Sequence, residues 1–205
     1  MNPLFSITVP LLLASESPRR RALLEQLSVP FSVQVSPADE VLDADVDPRE
    51  AARRLATRKA GPVAQAHPNT LVLAADTVVI HEGTILEKPA TPEEATSMLR
   101  RLSDDTHTVY TGLSVHHAAS DRESTRGRAT EVEFGPLSAP EIEAYVETQS
   151  PMDKAGGYGI QDHTGALFVA DLRGDYYNVV GLPLRTLYDT LREDFGDLVD
   201  GPDAS

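Results

Sequence analysis

Leu11-Leu12-Leu13-Ala14-Ser15-Glu16-Ser17-Pro18-Arg19-Arg20 is an apolar run that passes without a spacer into a helix start. The leucines read as a buried strand. Ser17 is placed to cap the helix, and Pro18 suits the first helical position, where its missing N–H costs nothing. A strand feeding straight into a capped helix opens a β-α unit and points to the α/β class. Working outward, Asp47-Pro48 and Thr91-Pro92 repeat the cap-plus-proline signal, with Glu50 and Glu94 at capping-box spacing. Ser138 with Glu141 predicts a fourth helix start. The apolar spacing of Val179, Leu182, Leu187 and Leu191 predicts a last helix ending near Arg192.

Strand-like runs fall between these helices at residues 9–14, 31–35, 70–75, 108–116, 131–134 and 166–172. The alternation of strands and helices, with 108–134 reading as an antiparallel hairpin, predicts a mixed twisted sheet flanked by helices in a single α/β domain. That domain is expected over residues 1–200, with an acidic tail at 201–205 that frays.

The chain has 205 residues, 18 Lys plus Arg against 32 Asp plus Glu, and a formal net charge of −14. Such a surface repels polyanions, so nucleic acid and anionic membrane are not expected partners. There is no cysteine, which removes disulfides and thiolate metal sites, and no apolar run long enough to span a bilayer. Met1–Pro10 lacks the basic start of a secretory leader, and a cytoplasmic protein is expected. Of the 18 basic residues only Lys59, Lys88 and Lys154 are lysine. Lysines that survive such a bias are candidates for sites that need a compact ammonium.

Arg19 and Arg20 occupy the first turn of the first helix, where the helix dipole already presents positive charge, so cations there cost stability unless an anion arrives. With the hydroxyls of Ser15 and Ser17 and the backbone N–H groups of the helix start, they form a candidate phosphate cradle. In Leu71-Val72-Leu73-Ala74-Ala75-Asp76-Thr77-Val78-Val79-Ile80 a single carboxylate interrupts an apolar run. Asp76 is expected at a strand end, where it could hold a divalent cation, take a proton from water, or simply cap a turn. Asp39-Glu40 offers hard oxygen ligands for Mg²⁺ or Mn²⁺. Lys59 shares a helix with Arg54 and Arg58, for which a solvated basic face is the default expectation. Lys88 follows a Glu82-Gly83 turn as a loop residue suited to phosphate. Lys154-Ala155-Gly156-Gly157-Tyr158-Gly159-Ile160-Gln161 is a glycine-rich turn ending in an amide, and is neither a P-loop nor a dinucleotide fingerprint. The six histidines show no metal-ligand spacing.

Taken in order, these segments resemble the Maf family of nucleotide pyrophosphatases. The resemblance is carried by Leu13-Ala14-Ser15 with Ser17-Pro18-Arg19-Arg20, Asp39-Glu40, Lys59-Ala60, Ala75-Asp76-Thr77-Val78, Glu87-Lys88-Pro89, Tyr110-Thr111-Gly112, Asp153-Lys154-Ala155-Gly156, Gly159-Ile160-Gln161 and Val180-Gly181-Leu182-Pro183. It implies a fold related to the inosine-triphosphate pyrophosphatases. It also implies metal-dependent hydrolysis of a nucleoside triphosphate to the monophosphate and pyrophosphate; Glu40 and Asp76 are the candidate ligands for Mg²⁺ or Mn²⁺. By position, Asp76 matches the family's proton acceptor. Ser15, Arg20, Glu40, Lys59 and Lys88 match its polar pocket, to which Lys154 is added as a further substrate-binding candidate. Arg19, Thr77 and Gln161 match positions tied to base selection.

Of the family's two branches, this chain resembles the one acting on dTTP and UTP. The branch acting on 7-methyl-GTP has Trp where Arg19 stands and Gln where Thr77 stands, and this sequence contains no tryptophan. The amide of Gln161 complements the O4 and N3–H edge common to thymine and uracil. Nucleotide-pool sanitation and division control both remain open, as do a homodimer, a non-catalytic nucleotide-sensing module and a sugar-phosphate nucleotidyltransferase. Glu16 and Asp162 stand where relatives often have glycine, and Asp104-Asp105 replaces a Ser-Gly-containing turn. A carboxylate at 16 would repel a triphosphate unless it points to solvent.

Overall fold

A computed structural model of the chain describes residues 4–43, 45–162 and 164–201. In chain order its elements are β1 (Ser6–Ile7), β2 (Leu11–Leu13), α1 (Pro18–Glu25), β3 (Ser32–Val33), α2 (Pro48–Ala66), β4 (Leu71–His81), β5 (Thr84–Leu86), α3 (Pro92–Leu102), β6 (Thr106–His117), β7 (Arg122–Phe134), α4 (Ala139–Glu147), β8 (Val169–Arg173), α5 (Tyr176–Val180), α6 (Leu184–Asp194) and β9 (Val199–Asp200). The main sheet has the strand order β3-β2-β4-β6-β7-β8, with β5 paired to β4. β2 is parallel to both β3 and β4, whereas β4–β5 and β7–β8 are antiparallel. The sheet is therefore mixed, and the α/β class expected from the sequence holds. Among the described residues no helix is long and apolar enough to cross a membrane.

The chain divides into two compact units. The first comprises the residues up to Asp76, Thr111–Arg128 and the chain from Gly181 on, and the second comprises Thr77–Tyr110 and Ala129–Val180. β4, β6 and β7 each pass from one unit into the other.

In the first unit β2 and β4 run in register, Leu11 opposite Leu71 and Leu13 opposite Leu73. Their apolar residues are buried on both faces, as a parallel strand requires. α2 lays Ala60, Val63 and Ala64 against Ala14, Val72 and Ala74. These small side chains bring the helix axis close to the sheet. The approach is tightest at Gly112 of β6, where an added Cβ would lie 2.6 Å from the Ala52 carbonyl oxygen. Only glycine fits there, which gives the Tyr110-Thr111-Gly112 segment a packing reason. β1 and β9 form a separate two-stranded ribbon.

In the second unit α3 and α4 start at their expected caps, the Thr91 hydroxyl accepting the Glu94 N–H and Ser138 closing a capping box with Glu141. Their apolar faces share one core with Val79, Leu99, Val132, Phe134 and Tyr145.

Several boundaries differ from those the sequence predicts. β4 runs to His81 rather than stopping at Ala75, because the β-branched Thr77-Val78-Val79-Ile80 continues it and Val79–His81 pairs with β5. β7 begins at Arg122, well before the expected residue 131, since its outer half is polar on both faces and carries no apolar alternation. Residues 165–168 form a 3-10 turn, and only Val169–Arg173 is strand. The predicted last helix is two helices, α5 and α6, interrupted at Gly181-Leu182-Pro183, where Gly181 adopts φ +122°. Residues 202–205 of the tail expected to fray lie outside the described residues.

Candidate active site

The first unit gathers the charged residues singled out at its sheet's carboxyl end. β2 finishes at Leu13, and Ala14 still donates its N–H to the Leu73 carbonyl at 2.7 Å. Beyond that point the chain turns through Ser15, Glu16 and Ser17 into α1. Asp76 is in the middle of β4, a correction to the expected strand end. It nevertheless lies just past the carboxyl end of β2, its parallel partner, which is where ligands collect in open α/β sheets. Its side chain is 13% exposed.

Lys59 overturns its default reading. Arg54 and Arg58 do lie on the solvated face of α2, but Lys59 is one residue further round and buried, its side chain 7% exposed. Its ammonium meets Asp76 Oδ1 at 2.8 Å and Glu40 Oε1 at 2.8 Å. One cation thus joins a helix, a strand and the loop after β3. The loop is held down by the same helix: Arg58 Nη1 reaches Asp43 Oδ1 at 2.9 Å, its Nη2 donates to the Val41 carbonyl, and Arg54 lies 3.5 Å from Asp43. The arginines of the exposed face therefore fix the loop that presents Glu40.

At the start of α1, Ser17 caps the helix by accepting the Arg20 N–H, and Ser15 Oγ accepts from the Ser17 N–H at 3.2 Å. The Arg20 side chain folds back. Its Nη1 donates to Ser15 Oγ at 3.3 Å and its Nε to the Gly181 carbonyl at 2.9 Å. Burial lowers the Arg20 guanidinium from its ordinary value. The charges of Asp76 and Glu40 oppose that shift and Arg19 adds to it. The cation at the wrong end of a helix is thus offset by two carboxylates of its own unit. Arg19 is half-buried, and Glu16 is exposed, so its carboxylate faces water.

The remaining site candidates belong to the second unit. Thr77 is half-buried; Lys88 and Gln161 are exposed. The glycine-rich turn and the Lys88 segment are tied by the Gly156 N–H, which donates to the Glu87 carbonyl at 3.1 Å. Lys154 is buried, and its ammonium is taken up by Asp153 Oδ1 at 2.7 Å, the Ser150 carbonyl at 2.5 Å and Asp162 Oδ2 at 3.3 Å. Burial alone would raise the Asp162 carboxyl. Hydrogen bonds from Ser150 and Tyr145 and the charge of Lys154 outweigh it and hold that carboxyl below its ordinary range. Asp104 takes the left-handed φ of +57°.

Among the described residues no cluster of three or more His, Asp or Glu side chains is arranged to hold a metal. Glu40 and Asp76 remain a pair of hard carboxylates converging on one cationic point, a donor set that suits Mg²⁺ or Mn²⁺ completed by phosphate and water oxygens. In the sequence Gly181 has a place in a family segment but no role, and the Gly-Leu-Pro interruption of an otherwise helical spacing is the signal for the turn that brings its carbonyl to Arg20.

Comparison with known proteins places the chain among relatives. The chain is similar to the dTTP/UTP pyrophosphatase of Salinibacter ruber, 61% identical over 204 residues and 100% of each chain. That of Halalkalibacterium halodurans is 52% identical over 85% of this chain and 90% of its own. That of Bacillus velezensis is 46% identical over 91% and 97%. The solved structure of the Staphylococcus aureus Ham1 protein aligns at TM-score 0.45 and 14% identity, over 61% of this chain and 71% of that one, too distant to carry an argument. The model of the family described as Maf-like protein matches residues 10–194, which takes in every residue of the Lys59 cluster, and the chain belongs to that family.

Proposed function

We propose that this chain hydrolyses dTTP and UTP to the nucleoside monophosphate and pyrophosphate, in the cytoplasm. The reading is carried by one observation: Lys59 Nζ stands 2.8 Å from both Asp76 and Glu40, beside an Arg20 held at the carboxyl end of β2. Relatives named dTTP/UTP pyrophosphatase that match the whole chain support the same activity.

Asp76 is the general base. Its carboxylate orients a water and accepts its proton as the water oxygen bonds to the α-phosphorus, while the bond from that phosphorus to the bridging oxygen breaks and pyrophosphate departs. Lys59 is Asp76's neighbour in the resting enzyme and turns its ammonium toward the phosphate oxygens as negative charge arrives. Arg20, with its guanidinium fixed, meets charge developing on the equatorial oxygens. Glu40 and Asp76 would hold Mg²⁺ or Mn²⁺, which when bound supplies further neutralisation of phosphate charge. Lys88 is assigned to phosphate binding, and Arg19, Thr77 and Gln161 to base selection, on the family resemblance. Lys154, whose ammonium is engaged by its own loop, is assigned to holding that loop.

The test is product analysis with Mg²⁺ or Mn²⁺ and each of dTTP, UTP, CTP, dGTP and 7-methyl-GTP. Pyrophosphate released chiefly from dTTP and UTP is the expected result, with Asp76→Asn lowering kcat by about 10²- to 10⁴-fold while still binding nucleotide. Release of orthophosphate, a preference for the methylated purine, or turnover only when a sugar phosphate is added overturns the reading.

A further inference from the structure

A backbone contact reaches Arg20 from far along the chain: its Nε donates to the carbonyl of Gly181 at 2.9 Å, across 161 residues. The geometry that makes this possible is unusual. Val179, Leu182, Leu187 and Leu191 have helical spacing, and in a continuous helix the Gly181 carbonyl would be consumed by the N–H four residues on. Instead Gly181 adopts φ +122°, a conformation that residues with a side chain rarely take. Pro183 then stands at the N-cap of α6, whose first hydrogen bond runs from the Leu187 N–H to the Pro183 carbonyl. The Gly181 carbonyl is thereby left outside the helix ladder and meets a guanidinium.

We propose that Gly181 is a positioning residue for Arg20, the left-handed turn at 181 existing to set a carbonyl against Nε. With Nε on Gly181 and Nη1 on Ser15 Oγ at 3.3 Å, the plane of the guanidinium fork is fixed. An arginine fixed in this way meets developing phosphate charge without reorganising. Its role in turnover rests on the pyrophosphatase reading, whereas its role in fixing the side chain does not.

The test is a double-mutant cycle with dTTP as substrate. Gly181→Ala is expected to lower kcat/KM by about 10- to 100-fold, the size of effect a displaced binding group produces, and Arg20→Ala to lower it further. In the Arg20→Ala background, Gly181→Ala is expected to add no more than about twofold, because the two changes remove one interaction. Multiplying losses, or a Gly181→Ala enzyme as fast as the parent, overturn the proposal.

The second measurement needs neither turnover nor a folded Gly181→Ala protein. The Arg20 Nε–H resonance of the unaltered protein, assigned by its disappearance in Arg20→Lys, is expected to exchange with solvent at least about tenfold more slowly than those of surface arginines. Exchange at the surface rate overturns the positioning role whatever the enzyme hydrolyses.

Discussion

Two buried lysines sit among oxygens in this molecule, and they do so in opposite ways. Among the described residues the partners of Lys154 are local: Ser150, Asp153 and Asp162 all lie within one loop of the second unit. An ammonium has three donors, and these oxygens exhaust them. Lys59 takes its partners from segments far apart in sequence, Glu40 from a loop and Asp76 from the middle of a strand. Local saturation is what a staple looks like. Convergence of distant segments on one cation, beside a guanidinium held by two further contacts, is what a site prepared for an anion looks like, since the fold holds like-charged groups close together without a structural need for it. The three lysines that survive in this composition are therefore not one class.

Exchanging each lysine for methionine is the most forceful way to break that contrast. Lys59→Met is expected to lower kcat/KM for dTTP by about 10²- to 10³-fold, because it removes a preorganised cation facing the phosphates, and to lower stability as well, since Asp76, 13% exposed, loses its ammonium. Lys154→Met is expected to lower stability by about 3 kcal/mol, the consequence of leaving the half-buried Asp162 without its cation, with a smaller fractional loss of activity at temperatures where the protein stays folded. Urea unfolding and steady-state kinetics on both variants decide the matter. Equal kinetic losses with unchanged stability would merge the two lysines into one functional set.

Acid sharpens the comparison from the second unit. His107 is buried on β6, its Nε2 hydrogen-bonded to the Tyr158 hydroxyl at 2.7 Å and its ring edge-on to Phe134. Burial, with His81 adding to it and Asp105 opposing, lowers its imidazole to about 4. The folded pKa lies below the ordinary 6.5, so between those values the unfolded chain binds the proton and the folded chain does not. Stability is full above pH 6.5 and falls as pH drops toward 4, by at most about 3 kcal/mol. His107→Gln is expected to remove that part of the pH dependence of unfolding. An unaltered slope in the variant would mean that His107 is protonated in the folded protein.

Helix starts were legible in the sequence because capping is chemistry between near neighbours: Ser17, Asp47, Thr91 and Ser138 each cap the helix that follows. The central strands were legible because burial on both faces writes a continuous apolar run. The outer half of β7 was not, since a strand with two polar faces carries no period-two signal. Asp76 stood out as the one acid in an apolar run, yet nothing near it in sequence said that Lys59 and Glu40 would meet it. Lys59 was hidden among arginines at similar spacing, and only the rotation of α2 against β2 and β4 separates it from them. The break at Gly181 was masked by apolar residues at helical spacing on both sides, although glycine and proline two residues apart are the ordinary marks of a helix interruption.

The smallest expected effect concerns Glu16, in the loop between β2 and α1. A carboxylate at the mouth of a phosphate cradle ought to repel substrate, but this side chain is exposed, and its field acts through water rather than protein. Two unit charges 4 Å apart in water interact by about 1 kcal/mol, and at physiological ionic strength the interaction decays over about 8 Å. Glu16→Gln is therefore expected to lower KM for dTTP by no more than about twofold at 150 mM salt, and by more at 10 mM, where screening is weak. The salt dependence separates the two possible orientations of the carboxylate. A gain in kcat/KM of tenfold or more that persisted at 150 mM would mean that Glu16 acts on the triphosphate through a medium salt does not penetrate, and the α1 start would then carry a resident anion in place of an open cradle.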